Sequence, residues 1–192
     1  SSIGPHCLRG MSIWEMLSTL GPREIIKRSN IFKTAKSFVD DGKVEDEMIR
    51  KSAFIITQSD WTDSQISPVN PTARLYRTHR VLREEFINCE KWASFEHEQP
   101  VIYSSAIGYT LKGLHILIKA VALVKEQHPN VMLKLAGAVG RTDFLGDGYL
   151  RLILRLIKRY DLEDNVTWLG AITAPVIVEN LQQASVFVHP SY

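Results

Sequence analysis

From residue 101 onward, short apolar runs alternate with segments whose apolar residues recur every three or four positions. "VIYSS" (101–105) is such a run. After it Leu114, Leu117, Ile118, Val121 and Val124 keep helical spacing, while Lys119, Lys125 and Glu126 take the other side. The pattern predicts a strand and then a helix from about Lys112 to Gln127, stopped by "HPN". "VMLKLAG" (131–137) reads as a second strand and "YLRLILRLIKRY" (149–160) as a second helix. In that helix Leu152, Ile153, Leu156 and Ile157 form one face, and Arg151, Arg155, Lys158 and Arg159 form another, read as solvated. "NVTWLG" (165–170), "APVIVENLQQA" (174–184) and "SVFVHPS" (185–191) continue as strand, helix and strand. Strands that are apolar throughout are expected where helices cover both faces of a sheet. Strands separated by helices join through right-handed crossovers into a parallel sheet.

The first half follows another grammar. "GPREIIKRSNIFKTAKSFVDDG" (21–42) has Pro22 near its first turn and Gly42 at its end, which predicts a helix between them. "EDEMIRKS" (45–52) continues as helix, and "AFIITQS" (53–59) is a buried strand. "WTDSQISPVNPTARLY" (61–76) is turn-rich, and "RTHRVLREEF" (77–86) reads as a basic helix. Glu84 and Glu85 interleave with Arg74, Arg77, Arg80 and Arg83, beside apolar Val81, Leu82 and Phe86. That mixture favours a packed helix with a solvated basic face over a docking surface for anionic lipid. One strand cannot complete a sheet, so the missing strands are expected upstream of Ser1, with apolar surface exposed around Phe54–Ile56. "CEKWASFEHEQP" (89–100) is the linker candidate, dividing the chain into 1–98 and 99–192. The abrupt start and the halt after "ASVFVHPSY" suggest an interior fragment of a longer polypeptide.

Composition narrows the class. Of 192 residues, 45% are hydrophobic and 23% charged, as in soluble globular proteins. A net charge of +2 is too small to imply nucleic-acid binding. Cys7 and Cys89 have no zinc-site or disulfide spacing, which favours a reducing compartment. No apolar run reaches the roughly 18 residues that span a bilayer, and the N-terminus has no signal-peptide pattern. The "NVT" sequon at 165–167 falls in an expected buried strand.

A Rossmann-like sheet binds ligands beyond the carboxyl ends of its strands. Here those ends are Ser105–Lys112, Gly137–Arg141, Gly170–Ile172 and His189–Tyr192. Glycine lets a backbone approach closely, a helix N-terminus attracts anions, and Lys112 adds a full positive charge. Spacing alone leaves two readings open: Lys112 and Gly113 hold a phosphate, or they punctuate a helix start. Neither a P-loop nor a G-x-G-x-x-G follows the first strand, which weakens a dehydrogenase reading.

Longer stretches carry a resemblance. "YTLKGLHILIKAVALVKEQHPNVMLKLAG", "LEDNVTWLGAI" and "LQQASVFVHPS" resemble, in order and spacing, motifs of the family-four glycosyltransferases over 101–192. "AFIITQSDW" resembles the strand that closes that family's N-terminal domain, and "RVLREEF" a segment before the linker in some bacterial members. The resemblance implies the GT-B fold, two Rossmann-like α/β domains with parallel sheets, both incomplete in this chain. It implies retaining transfer of a sugar from a nucleoside diphosphate sugar to a glycan or lipid-linked acceptor. No cofactor is required, the base is unassigned, and the setting is cytoplasmic, with peripheral contact at the inner membrane face. Lys112 would neutralise the diphosphate leaving group without a metal. Gly113 and Gly137 would let the backbone approach the donor, and Gly170, Ala171 and Ile172 would meet the base through main-chain groups. Pro190 and Ser191 would open the loop around sugar and phosphates.

Three departures qualify this. The family's arginine five positions before the lysine is Ile107 here, with Arg141 as a possible substitute. Its paired glutamates, with seven residues between them, would follow Tyr192, so the fragment alone is expected to be inactive. Its N-terminal-domain histidine has His6 as the nearest catalytic candidate, and His189 reads as structural. Two rivals stand beside this reading: a GT-B sugar-nucleotide epimerase, and a Rossmann-like interaction module that has lost its donor site.

Overall fold

A computed structural model describes residues 6, 8–27, 30–93, 99–105, 107–138 and 147–191. The first half holds helices α1 (Ile13–Ser18), α2 (Pro22–Ile26) and α3 (Ile31–Lys51), then β1 (Phe54–Thr57), α4 (Asp60–Ile66), β2 (Arg74–Arg77) and α5 (Glu84–Ile87). The second half holds β3 (Val101–Ser104), α6 (Leu114–Gln127), β4 (Met132–Ala136) and α7 (Gly148–Arg159), followed by β5 (Val166–Gly170), α8 (Ala174–Gln183) and β6 (Val186–Phe187).

All pairings in the second half are parallel, in the order β5-β4-β3-β6. The chain thus builds outward from β3 in one direction, then returns to add β6 on its other side. Alternate residues serve opposite faces. Ile102, Leu133 and Leu135 join Leu117, Ile118, Val121, Ile153 and Leu156 under α6 and α7. Tyr103 and Ala136 pack with Ala184, Leu181 and Ile177 under α8. Both faces are covered, as the unbroken apolar strands required. Leu133 is fully buried at the centre. Leu133→Ala should cost about 2–5 kcal/mol, read as a lower denaturant midpoint with an unchanged slope.

Asn165 of the sequon is buried, its amide donating to the carbonyls of Pro129 (3.0 Å) and Val131 (2.7 Å). It serves as a structural clamp.

The first half departs from expectation at three places. Residues 21–42 do not form one helix. α2 ends at Ile26, and Asn30 Oδ1 accepts from Lys33 N–H (3.0 Å) to start α3. That helix runs through Gly42 to Lys51. A mid-helix glycine costs only about 1 kcal/mol, which 21 residues and ion pairs such as Lys43–Asp40 can offset. Residues 74–77 are a strand, and 77–83 are not helical. β2 lies parallel to β1, with Phe54 opposite Arg74 and Thr57 opposite Arg77, so β1 has a partner within this chain. Arg77 bridges Asp60 (2.8 Å) and Asp63 beyond the strand ends, while Val81 is 94% exposed instead of packed. β1 itself is mostly not buried. Phe54 (66%) and Ile56 (70%) face outward, the exposed apolar surface expected there.

Candidate functional site: the crevice between β3 and β6

The strand order reverses between β3 and β6, the switch point of the sheet. Loops leaving two such strands diverge to opposite faces and open a crevice between them. After β3 the chain enters a 3₁₀ turn, Thr110–Lys112, and Gly113 then starts α6 with φ +69°. The expected helix therefore begins two residues late, at Leu114, with Lys112 in the turn that feeds it. Gly113 is needed for more than its dihedral. A Cβ there would overlap the Pro190 carbonyl oxygen and lie 3.0 Å from its carbonyl carbon. The turns after the first and fourth strands of the sheet are thus in van der Waals contact, and Lys112 stands beside that contact.

The other strand ends close the row. Gly137 N–H donates to the Gly170 carbonyl (2.7 Å), tying the ends of β4 and β5. A Cβ on Gly137 would lie 3.1 Å from that of Ile107. Ile107, where the resemblance implied an arginine, is an apolar side chain packed at the core's edge. Ile172 packs on the cluster around Tyr103, whereas Ala171 is exposed. Ser191 Oγ lies 3.0 Å from His189 Nε2, and the His189 ring stacks on Phe187 at 6.3 Å. His189 is a loop organiser, as expected.

The structure thus brings Lys112, Gly113 and Pro190 together, and links Gly137 to Gly170. Arg141 and Tyr192 lie outside the described residues. His6 is exposed in the turn before α1.

Sequence reading missed the surroundings of this row. Residues 8–26 form a strap over the first turns of α6 and α7. Glu24, 6% exposed in its side chain, pairs with Arg151 (2.7 Å, 12%) and accepts from Gly148 N–H (3.0 Å). Arg155 donates to the Ser18 carbonyl (3.0 Å). These arginines, read as solvated, instead hold the strap. Burial alone would raise the Glu24 pKa; bonds from Arg151 and Gly148 outweigh it and hold the carboxyl below its ordinary value. Their only sequence signal was Arg151 and Arg155 aligned on one face of α7, a pattern that solvation also explains. A cavity of about 100 Å³ opens between the strap, the start of α3 and the turn after β3, lined by Arg23, Asn30, Thr34, Tyr109 and Asp147. A larger apolar cavity, about 630 Å³, lies between α5, α8 and β6, and none of its walls belongs to the Lys112 or Gly170 turns.

Residues 86–192 match the family described as "Glycosyl transferases group 1". This chain belongs to that family. It is 33% identical over 82 residues to the D-inositol 3-phosphate glycosyltransferase of Pseudarthrobacter chlorophenolicus, a match covering 43% of this chain and 19% of that protein. The chain therefore spans about a fifth of the length of that curated relative. Among solved structures it resembles a sucrose-phosphate synthase from Thermosynechococcus elongatus, with a TM-score of 0.59, 20% identity and coverage of 78% of this chain and 38% of that one. It also resembles a point mutant of S. aureus TarM in complex with Fondaparinux, alpha-GlcNAc-glycerol and UDP, with a TM-score of 0.58, 17% identity and coverage of 78% and 28%. The shared fold is GT-B, with parallel sheets.

Proposed function

We propose that this group 1 chain contributes the donor side of a retaining glycosyltransferase, moving a sugar from a nucleoside diphosphate sugar to a glycan or lipid-linked glycan. In this reading residues 99–192 hold the donor and 1–98 belong to the acceptor side. The observation that carries it is the contact of Gly113 with Pro190 at the switch point, with Lys112 beside it. Two turns that meet there form a cradle for a diphosphate, and an ammonium placed before the reaction stabilises the charge that develops as the sugar–phosphate bond breaks. Gly137 and the Gly170–Ile172 turn flank the cradle and serve the nucleoside. Transfer of this kind needs no cofactor besides the donor.

Further features fit the same reading. The small cavity beside Tyr109 is lined by both halves, Arg23, Asn30 and Thr34 on one side and Tyr109 and Asp147 on the other, and an acceptor hydroxyl would approach there. Among the described residues no helix is long and apolar enough to cross a membrane. The same reading places the protein in the cytoplasm, in peripheral contact with the inner membrane face.

Calorimetric titration with UDP, GDP and ADP tests the cradle. One nucleotide should bind saturably, and Lys112→Ala should weaken it tenfold or more, about 1.4 kcal/mol. Equal affinity in the variant would remove Lys112 from the donor site. Lys112→Arg should recover part of the loss.

A further inference from the structure

The strap over α6 and α7 is fastened close to the Lys112 turn. Lys119 donates to the Gly10 carbonyl (2.8 Å) and pairs with Glu15 (2.8 Å), and Arg23 pairs with Asp147 (3.0 Å). These contacts keep some access to water. At the centre sits a group that has none: His115, fully buried, the second residue of α6.

Its partners fix its chemistry. Nε2 lies 2.8 Å from the Arg9 carbonyl, which can only accept, so Nε2 carries the hydrogen. Nδ1 lies 2.8 Å from the Tyr149 hydroxyl and is then the acceptor. The same hydroxyl oxygen accepts the His115 backbone N–H (3.2 Å). The two rings meet edge to face, 5.7 Å apart. One imidazole therefore joins the strap, α6 and α7, three residues past Lys112.

We propose that His115, in its neutral Nε2–H form, is a positioning residue that fastens the strap to α6 and α7 and so sets the turn presenting Lys112. The positioning role rests on the donor-site reading above; the fastening does not. A second ring proton would point at the Tyr149 hydroxyl, which would have to turn its own hydrogen away, and would place a charge in a dry site. Charged or titratable groups face the ring from each neighbour: Glu15 on the strap, Lys119 on α6 and Tyr149 on α7, with the Arg9 backbone carbonyl on the remaining side. Burial is the chief cause that holds the His115 pKa below its ordinary value; Lys119 adds to it, while the Arg9 carbonyl and Glu15 oppose it.

The sign follows. The unfolded chain takes up this proton near pH ~6.5, and the folded chain only at lower pH. Attachment is therefore complete above about pH 6.5 and weakens as pH falls below it. Glu15 and Glu24 are held below 4.5, so their fastenings persist into more acid solution.

Hydrogen exchange on the 192-residue chain between pH 5 and 8, corrected for intrinsic rates, tests this. Strap amides should lose protection tenfold or more from pH 7.5 to 5, while β3 and β4 keep theirs. In His115→Gln, whose amide can donate to Arg9 and accept from Tyr149 without titrating, strap protection should be flat. A flat wild-type profile, or a step that survives in His115→Gln, overturns the proposal. So does a step abolished by His6→Gln, which would move the titration to the exposed histidine. The nucleotide that binds should lose affinity toward pH 5 more steeply in wild type than in His115→Gln, and identical profiles would refute positioning. Lys112→Ala should leave strap protection unchanged. If no nucleoside diphosphate binds, the Lys112 reading and the positioning role fall together, and the exchange step alone decides the fastening.

Discussion

Gly113→Ala should abolish nucleoside diphosphate binding and lower stability by about 2–5 kcal/mol. Two costs combine. A residue with a Cβ at φ +69° is strained by roughly 1–2 kcal/mol. The added methyl also meets the Pro190 carbonyl, which is backbone and cannot swing aside as a side chain would. Either the α6 turn or the loop after β6 must move, and each movement separates Lys112 from the opposite wall of the crevice. Gly113→Asn divides the two costs. Asparagine tolerates a positive φ better than alanine but keeps the Cβ, so a steric cause leaves it as impaired as Gly113→Ala. Chemical denaturation and nucleotide titration read the two effects. Wild-type affinity in Gly113→Ala would show that the two turns need not touch for binding.

The second large effect is expected at the strap. Arg151→Ala should destabilise by about 3–5 kcal/mol, because it leaves the Glu24 carboxylate buried without its main cationic partner. Glu24 would retain Gly148 N–H and a longer contact to Arg23 (3.3 Å), which is half-exposed. The double change Arg151→Met with Glu24→Gln should be far milder than Arg151→Ala, since a neutral amide still accepts from Gly148 and no charge is stranded. A double-mutant cycle that returned additive costs would show the pair to be uncoupled. Acid acts on the same bond. The folded pKa of Glu24 is depressed, so this stability is present above 4.5 and is lost as pH falls through the lower, folded value. Gly148 reports the strap's closeness independently: a Cβ there would overlap the Thr19 carbonyl oxygen.

The second half was readable because its signals are local. Leu114, Leu117, Ile118 and Val121 show helical spacing within two turns, and each strand is an apolar run ending at glycine or a small polar residue. The motif order then carried the family resemblance, and the strand ends fell where the crevice opens. The missed features are of two kinds. β2 is four residues, arginine at each end, and its side chains are largely exposed. A strand whose polar ends face water gives no apolar run to find, and its arginines look like a helix face. Arg151, Glu24 and His115 are the other kind. Nothing near Arg151 in sequence says that a carboxylate lies against it, because Glu24 is more than a hundred residues away. His115 sits among leucines in an amphipathic stretch, and only a tertiary partner such as Arg9 turns it from filler into a fastening.

The strand order also bears on how the chain reaches this structure. β3, α6, β4, α7 and β5 can assemble by successive short crossovers, each between neighbours in sequence. β6 must instead return across the already placed β3, closing the longest loop in the sheet, and it does so with only two paired residues. Contacts of long sequence separation form only after the entropy of closing the chain has been met. The meeting of Gly113 with Pro190 is such a contact, so the crevice should mature last, after the sheet around Leu133 has condensed. In a refolding experiment nucleotide affinity would then lag behind core fluorescence, and a nascent chain would show sheet structure before it could hold a ligand.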